Sequence, residues 1–451
     1  MTIHSQLKRL GLFDARVPRY TSYPTAPHFT QDVGAEDTRN WIRAIPLDGT
    51  VSIYVHVPFC RRLCWFCACR TQGTATAAPV SAYLETLKAE LELLRAELPQ
   101  GVRIEHLHWG GGTPTLLGPD MIADLSRAIL DVAPLTEEAQ FSVEIDPNEL
   151  DDARLDALAA AGMTRASIGI QDFDAQIQET IGRPQSYEVT KAAVDGLRAR
   201  GIDSLNVDIL YGLPHQTRAK ISESVQLLLS LNPDRVALFG YAHVPWMAKR
   251  QKLIPSEALP APEERLELFK IARDLFVWDG FAEIGIDHFA RPGDGLEVAW
   301  RNGRMRRNFQ GYTEDESETL IGLGASAISR FPQGYAQNDP STSGYQKTVR
   351  DGQFATTRGH AFTQDDHLRG GIIEALLCDF RADLVSVANR VNQPVAQATA
   401  LADGLAEAFP GMVRVTDTTV EILDHARPLA RIIARHFDGY EMSAAGHSHA
   451  V

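Results

Sequence analysis

The chain has 451 residues, which at roughly 150 residues per domain supplies about three domain-sized masses. Its 44% apolar and 23% charged residues exclude a disordered or fibrous protein. With 44 Lys and Arg against 58 Asp and Glu, the net charge of −14 argues against nucleic acid or an anionic membrane as main partner, while leaving room for a local basic pocket that takes an acidic small molecule.

The first residues lack the apolar core of a secretory signal, and no run of about 18 apolar residues follows. A cytoplasmic protein without a membrane span is therefore expected. A polar arm carries Pro18-Arg-Tyr-Thr-Ser-Tyr-Pro24, after which a strand–helix rhythm begins. Short β-branched runs predict strands at Val51–Val57, Arg103–Trp109, Gln140–Asp146, Arg165–Ile170, Ser204–Leu210 and Arg235–Tyr241, with a seventh at Ala282–Asp287. Leu84, Leu87, Leu91, Leu94 and Leu98 put one apolar stripe on a helix. Further helices are expected near Pro119–Val132, Leu150–Ala161, Glu188–Arg200, Thr217–Leu231 and Pro262–Trp278, several ending at a glycine such as Gly162, Gly201 or Gly280.

Strands and helices in alternation mean right-handed βαβ units on a parallel sheet. The expected fold is α/β: an incomplete parallel (β/α)6-type barrel over 45–290, preceded by an N-terminal arm (1–44) and followed by an extension (291–360) and a mostly helical C-terminal domain (361–451). In that last part Met412–Leu423 reads as a hairpin before a helix near Arg427–Phe437; a winged-helix reading is possible, but the acidic balance disfavours DNA binding. Ser443–Val451 is small and polar and expected to fray, and its His447 and His449 make only a weak metal pattern.

Four of the 5 cysteines lie in Cys60-Arg-Arg-Leu-Cys64-Trp-Phe-Cys67-Ala-Cys69, three residues past the first strand and so on the catalytic face of a parallel barrel. Such clustering points to a metal or cluster site in a reducing compartment. Zinc sites usually use two separated Cys/His pairs, whereas these sulfurs share one loop around a single bulky object, which favours an iron–sulfur cluster. Cys60, Cys64 and Cys67 form Cys-x3-Cys-x2-Cys, and three thiolates on a four-iron cluster leave one iron open.

That spacing is the signature of radical S-adenosylmethionine enzymes. The stretch Tyr54-Val-His56-Val-Pro58-Phe59-Cys60 through Cys69 closely resembles the oxygen-independent coproporphyrinogen III oxidases of bacterial haem biosynthesis. The likeness extends to the arm, to Gly110-Gly-Gly-Thr-Pro-Thr115, Tyr241-Ala-His-Val-Pro245, Asp287-His-Phe-Ala-Arg-Pro292, Arg307-Asn-Phe-Gln-Gly-Tyr312 and Leu377-Cys-Asp-Phe380. Cys69 and the arm distinguish the chain from the haem-chaperone branch, which with a haem-degrading radical enzyme forms the alternative reading. Trp65 stands where the oxidases often carry tyrosine.

The resemblance implies a [4Fe-4S] cluster on Cys60, Cys64 and Cys67, and two S-adenosylmethionine molecules. One of these meets Gly111, Gly112, Thr113 and Glu144, flanked by Tyr54 and Ile328. The second meets Gln171, Arg183, Asp208 and backbone at Phe66 and Ala242. The implied activity forms a 5′-deoxyadenosyl radical that takes a β-hydrogen from each of two propionates of coproporphyrinogen III, giving vinyl groups and protoporphyrinogen IX. It needs a reductant and an electron acceptor, neither named by the sequence, and a monomer is expected.

From the residues themselves, Arg19, Arg61 and Arg62 are candidates for substrate carboxylates, balanced by ordinary surface roles. Tyr54 and His56 share one strand face, where His56 is either a donor to a propionate or a hydrogen-bonded core histidine. As a fourth ligand Cys69 would close the cluster to S-adenosylmethionine, so a pocket role is favoured. Cys378 reads as a small buried hydrophobe.

Overall fold

Six strands follow the expected runs: β1 (Thr50–Val57), β2 (Arg103–Gly111), β3 (Leu135–Ile145), β4 (Arg165–Gln171), β5 (Ser204–Tyr211) and β6 (Arg235–Gly240). The computed structural model describes residues 3–441 and residue 450, so His447 and His449 lie outside the described residues. Each strand pairs in parallel with the next, in chain order. Helices at Ala78–Glu97, Pro119–Val132, Asp152–Ala160, Tyr187–Arg198 and Arg218–Ser230 form the crossovers. Leu84, Leu87, Leu91 and Leu94 face the core, as their spacing required, and Gly162, Gly201 and Gly280 take left-handed φ just past their helices.

Ala282–Asp287 is not a seventh parallel strand. It yields β7 (Ala282–Ile284), which turns directly into β8 (His288–Ala290), and β8 runs antiparallel to β6. A three-residue turn cannot carry the crossover that parallel pairing needs. The seventh parallel strand is β9 (Leu320–Leu323) on the other side of β1. Beyond it, β10 (Ile328–Phe331), β11 (Gly334–Asn338) and β12 (Thr356–Ala361) continue antiparallel. The result is one open sheet of 12 strands, its parallel centre flanked by antiparallel edges.

The amino ends of the strands are tied by charge. Arg235, first in β6, bonds Asp294 and Glu314, and Arg165, first in β4, lies 3.4 Å from Glu314. All four side chains are buried, so each charge depends on its partners.

A second core lies over the carboxyl ends of the strands. It joins the helix Gln364–Cys378, a three-stranded antiparallel sheet (Arg381–Asp383, Val413–Val415, Thr419–Ile422) and the short helix Ala430–Ala434. The expected hairpin is present, with a third strand added. Leu7, Leu12, Phe13, Tyr20 and Tyr23 of the arm are buried in this core, and the Tyr20 hydroxyl donates to Asp438 at 2.9 Å. Cys378 is buried beside Met305 and Tyr312. Among the described residues no helix is long and apolar enough to cross a membrane.

Candidate active site

β1 delivers the chain to the cysteine loop, whose start is fixed by backbone pairing of Phe59–Cys60 with Gln72–Gly73. All four loop thiols are free. The Cys69 N–H donates to the Cys67 sulfur at 3.4 Å, and hydrogen bonding from Cys69 lowers the Cys67 thiol despite its burial. Burial raises Cys60 to about 11, relieved in part by Thr113. Burial also raises Cys64, opposed by the Arg183 guanidinium 3.5 Å from its sulfur. Among the described residues no three His, Cys, Asp or Glu side chains group as a single ion needs; thiolates on separate corners of a cluster stand farther apart than ligands of one ion. Three thiols in a loop with a cation against one sulfur suit a cluster of net negative charge.

The glycine run packs against this loop. Gly112 N–H donates to Val57 O at 2.8 Å and Thr113 N–H to Phe59 O at 2.7 Å. A Cβ on Gly112 would stand 2.5 Å from Phe59 O, so only glycine permits this approach. Gly111, at φ +107°, donates to Glu144 Oε2 at 3.0 Å. The amides of Gly111, Gly112 and Thr113 are thus used within the protein.

Glu144 lies one residue before the end of β3, 3.4 Å from His108 Nε2. Burial pushes its carboxyl up, but His108 and the Gly111 amide outweigh burial and hold it below the usual range. Asp208 lies inside β5, three residues before its end. Burial, with Glu144 nearby, pushes Asp208 to about 7, against the Asn206 amide at 3.1 Å and Arg183. Arg183 also donates to Gly169 O at 2.8 Å. Gln171 ends β4 at φ +71°. Glu144, Arg183 and Asp208 therefore interact beside the cysteine loop.

Tyr54 and His56 do share a face. His56 Nε2 lies 3.2 Å from Arg70 O, which only accepts, so Nε2 carries the proton and Nδ1 accepts from the Tyr54 hydroxyl at 3.1 Å. Both ring nitrogens are occupied, and burial holds the imidazole pKa low. Tyr54 stacks on His108 at 5.6 Å and pairs across β9 with Gly322, whose Cα is packed against the backbone of Ile328. Trp65 seats on Gly182.

Two residues that sequence reasoning missed bind the loop to the rim. The Gln251 amide donates to Phe66 O at 2.7 Å and Ala242 O at 3.0 Å, and its oxygen accepts from Val244 N–H at 2.6 Å. Arg250 donates to Cys69 O at 3.3 Å and Thr71 at 3.0 Å. No spacing marks either residue. Of the three arginines expected to meet substrate, Arg19 lines a cavity of about 630 Å³ beside the rim and donates to Gly240 O at 2.8 Å. Arg61 does not line it, turning instead to Thr74 O at 3.3 Å and Glu149 at 3.6 Å. Arg62 is exposed outside it.

A cysteine loop of this spacing at the carboxyl end of the first strand defines a radical S-adenosylmethionine enzyme, and the profile of the Radical SAM superfamily matches residues 54–228. Over its whole length the chain is 61% identical to the oxygen-independent coproporphyrinogen III oxidase of Paracoccus denitrificans, covering 100% of each. It is 37% identical to that of Escherichia coli, covering 94% of this chain and 93% of the relative. The solved structure of the Escherichia coli coproporphyrinogen III oxidase, described as a radical SAM enzyme, superposes with a TM-score of 0.89 at 35% identity, covering 95% of this chain and 100% of that one. The chain belongs to the oxygen-independent coproporphyrinogen III oxidase family.

Proposed function

We propose that this protein converts coproporphyrinogen III to protoporphyrinogen IX without oxygen, each of two propionates losing a β-hydrogen, carbon dioxide and one electron to leave a vinyl group. The observation that carries the reading is the three-thiol loop at the barrel mouth, in a chain that also keeps Cys69 and the tyrosine-rich arm. Cys60, Cys64 and Cys67 hold the [4Fe-4S] cluster. Gly111, Gly112, Thr113 and Glu144 hold the amino-acid end of one S-adenosylmethionine, beside Tyr54 and Ile328. Arg183, Asp208, Gln171 and the backbone at Phe66 and Ala242 hold a second. Together the cluster and S-adenosylmethionine supply the one-electron chemistry that takes hydrogen from the propionate.

The chain's own residues place and shield. Glu144, kept ionised by His108, attracts an ammonium group. Arg183 lies against Cys64 and balances negative charge at the cluster. His56 stays neutral and fixes the Tyr54 hydroxyl in the mouth. Cys69, hydrogen-bonded to Cys67, adjusts that sulfur and faces the substrate. The arm and last domain act together over the barrel mouth and keep water from the reaction. The protein works as a cytoplasmic monomer served by a soluble reductant and an electron acceptor.

Incubation of anaerobically reconstituted protein with reductant, S-adenosylmethionine and coproporphyrinogen III tests the activity, with protoporphyrin after oxidation as readout. Serine at Cys60, Cys64 or Cys67 is expected to abolish bound iron. Cys69→Ser should retain iron and lose decarboxylation; loss of iron in that variant overturns the ligand assignment.

A further inference from the structure

The cavity beside the rim lies between the arm, the carboxyl ends of β5 and β6 and the last domain. In a protein of net charge −14 its wall is cationic. Part of that charge is balanced. Arg273 lies 2.9 Å from Glu283, Arg427 lies 2.9 Å from Asp424 and 3.7 Å from Glu283, and Lys270 pairs with Glu267 at 3.2 Å. Of the other guanidiniums on the wall, those of Arg16, Arg19, Arg265 and Arg307 share one further carboxylate among the described residues, Asp287. Asp287 is itself bonded to His288 at 2.6 Å and stands 4.0 Å from Arg307.

The partners of these arginines are mainly neutral carbonyls, which orient a guanidinium without cancelling its charge. Arg265 donates to Tyr241 O at 2.8 Å, Arg307 to Arg19 O at 3.3 Å, and Arg431 to Val17 O at 2.6 Å, Pro18 O at 3.1 Å and Ala450 O at 3.2 Å. The Nε atoms of Arg265 and Arg307 are buried without a hydrogen-bond partner. Burial, aided by like charge, pushes Arg265 down and Arg431 to about 9. Like charges gathered in such a place are costly until anions join them. Tyr211, Trp246 and Phe269 supply apolar faces among them, with Arg16 5.0 Å above the Trp246 ring. The wall is also tied to the cysteine loop, since Ala242 lines it and shares the Gln251 amide with Phe66.

We propose that this cavity is the carboxylate-reading site for the tetrapyrrole, with Arg16, Arg19, Arg265 and Arg307 holding its propionates and the aromatic residues lying against the macrocycle. The inference rests on the function proposed above and adds its substrate selectivity. Four carboxylates match a surplus of guanidiniums; a product with two loses half of its ion pairs. The site therefore favours substrate over product and promotes release when both vinyl groups have formed.

Titration of the full-length protein with coproporphyrin III, the oxidised and unreactive tetracarboxylate, followed by porphyrin fluorescence, tests this against protoporphyrin IX, the dicarboxylate. Wild type is expected to bind the tetracarboxylate tenfold or more tightly, with the steeper loss of affinity in salt. Arg16→Met and Arg19→Met, both at exposed residues, should each weaken coproporphyrin III about tenfold and protoporphyrin IX less, at wild-type iron content and melting temperature. Arg19→Lys, which keeps charge but not the fork, should fall between. Coproporphyrin binding indifferent to salt and to both methionine variants, or equal weakening of the two porphyrins, overturns the proposal. If wild type selects the tetracarboxylate as expected but makes no protoporphyrinogen, the reading of the reaction fails and the carboxylate site stands.

Discussion

A single methyl group at Gly112 is expected to displace the cysteine loop. The added Cβ would lie 2.5 Å from Phe59 O and 2.8 Å from Val57 O, where ordinary contact begins at 3.4 Å, so the two backbones must part by about 0.9 Å. The same movement stretches the bonds from Gly112 N–H to Val57 O and from Thr113 N–H to Phe59 O, now 2.8 and 2.7 Å, out of hydrogen-bond range. Two buried bonds at about 1 kcal/mol each and an overpacking penalty of similar size give a loss of about 3 kcal/mol. Cys60 directly follows Phe59, so the loss falls on the first of the proposed cluster ligands. Gly112→Ala should lower both the melting temperature and the iron retained after anaerobic reconstitution. Gly118→Ala is the control, because nothing lies within 4 Å of a Cβ there and its φ is −71°. A Gly112→Ala protein matching this control in iron and melting temperature would refute the packing argument.

Arg235→Met leaves Asp294 and Glu314 buried with less of their counter-charge, and should destabilise the protein by about 3 kcal/mol in chemical denaturation while bound iron per folded molecule stays constant. Gln251→Ala unpairs Phe66 O, Ala242 O and Val244 N–H; a chelator should strip iron from it severalfold faster than from wild type. Burial raises the Glu90 carboxyl from 4.5 to about 7, against donors on Gly324, Asn338 and Tyr345. Between those two values the folded protein keeps a proton that the unfolded chain has released, so this group's contribution falls as pH rises through the window, by about 3 kcal/mol in all. Glu90→Gln should remove that part of the pH dependence of stability; an unchanged profile would show that Glu90 does not titrate there.

Much of the fold was legible because its causes are local. The β-branched runs of β1 to β6 and the leucine stripe of Ala78–Glu97 follow from side-chain periodicity, and a helix between successive strands supplies the crossover that parallel pairing needs. β9 escaped notice because four residues, one a glycine, carry no period; its place is set by the open edge of β1. The strand expected over Ser204–Leu210 was legible to within one residue, its ladder bonds to β6 continuing through Tyr211. The arm reads as polar from its sequence, but Tyr20 and Tyr23 are buried because the last domain offers Asp438 and the backbone of Gly439 as partners for their hydroxyls.

By itself the sequence determined the cysteine loop, since three thiols within eight residues meet on one loop whatever surrounds it. It also determined the order of β1 to β6 and the family likeness. The arginine-lined cavity beside the rim was decided only by tertiary structure. Arg16, Arg19, Arg265, Arg307 and Arg431 come from the arm, the barrel helix Pro262–Trp278, the extension and the last helix, and no spacing links them. A net charge of −14 leaves room for such a pocket but does not locate it. Net charge sums over the whole surface, whereas binding depends on the few charges that folding gathers around one volume.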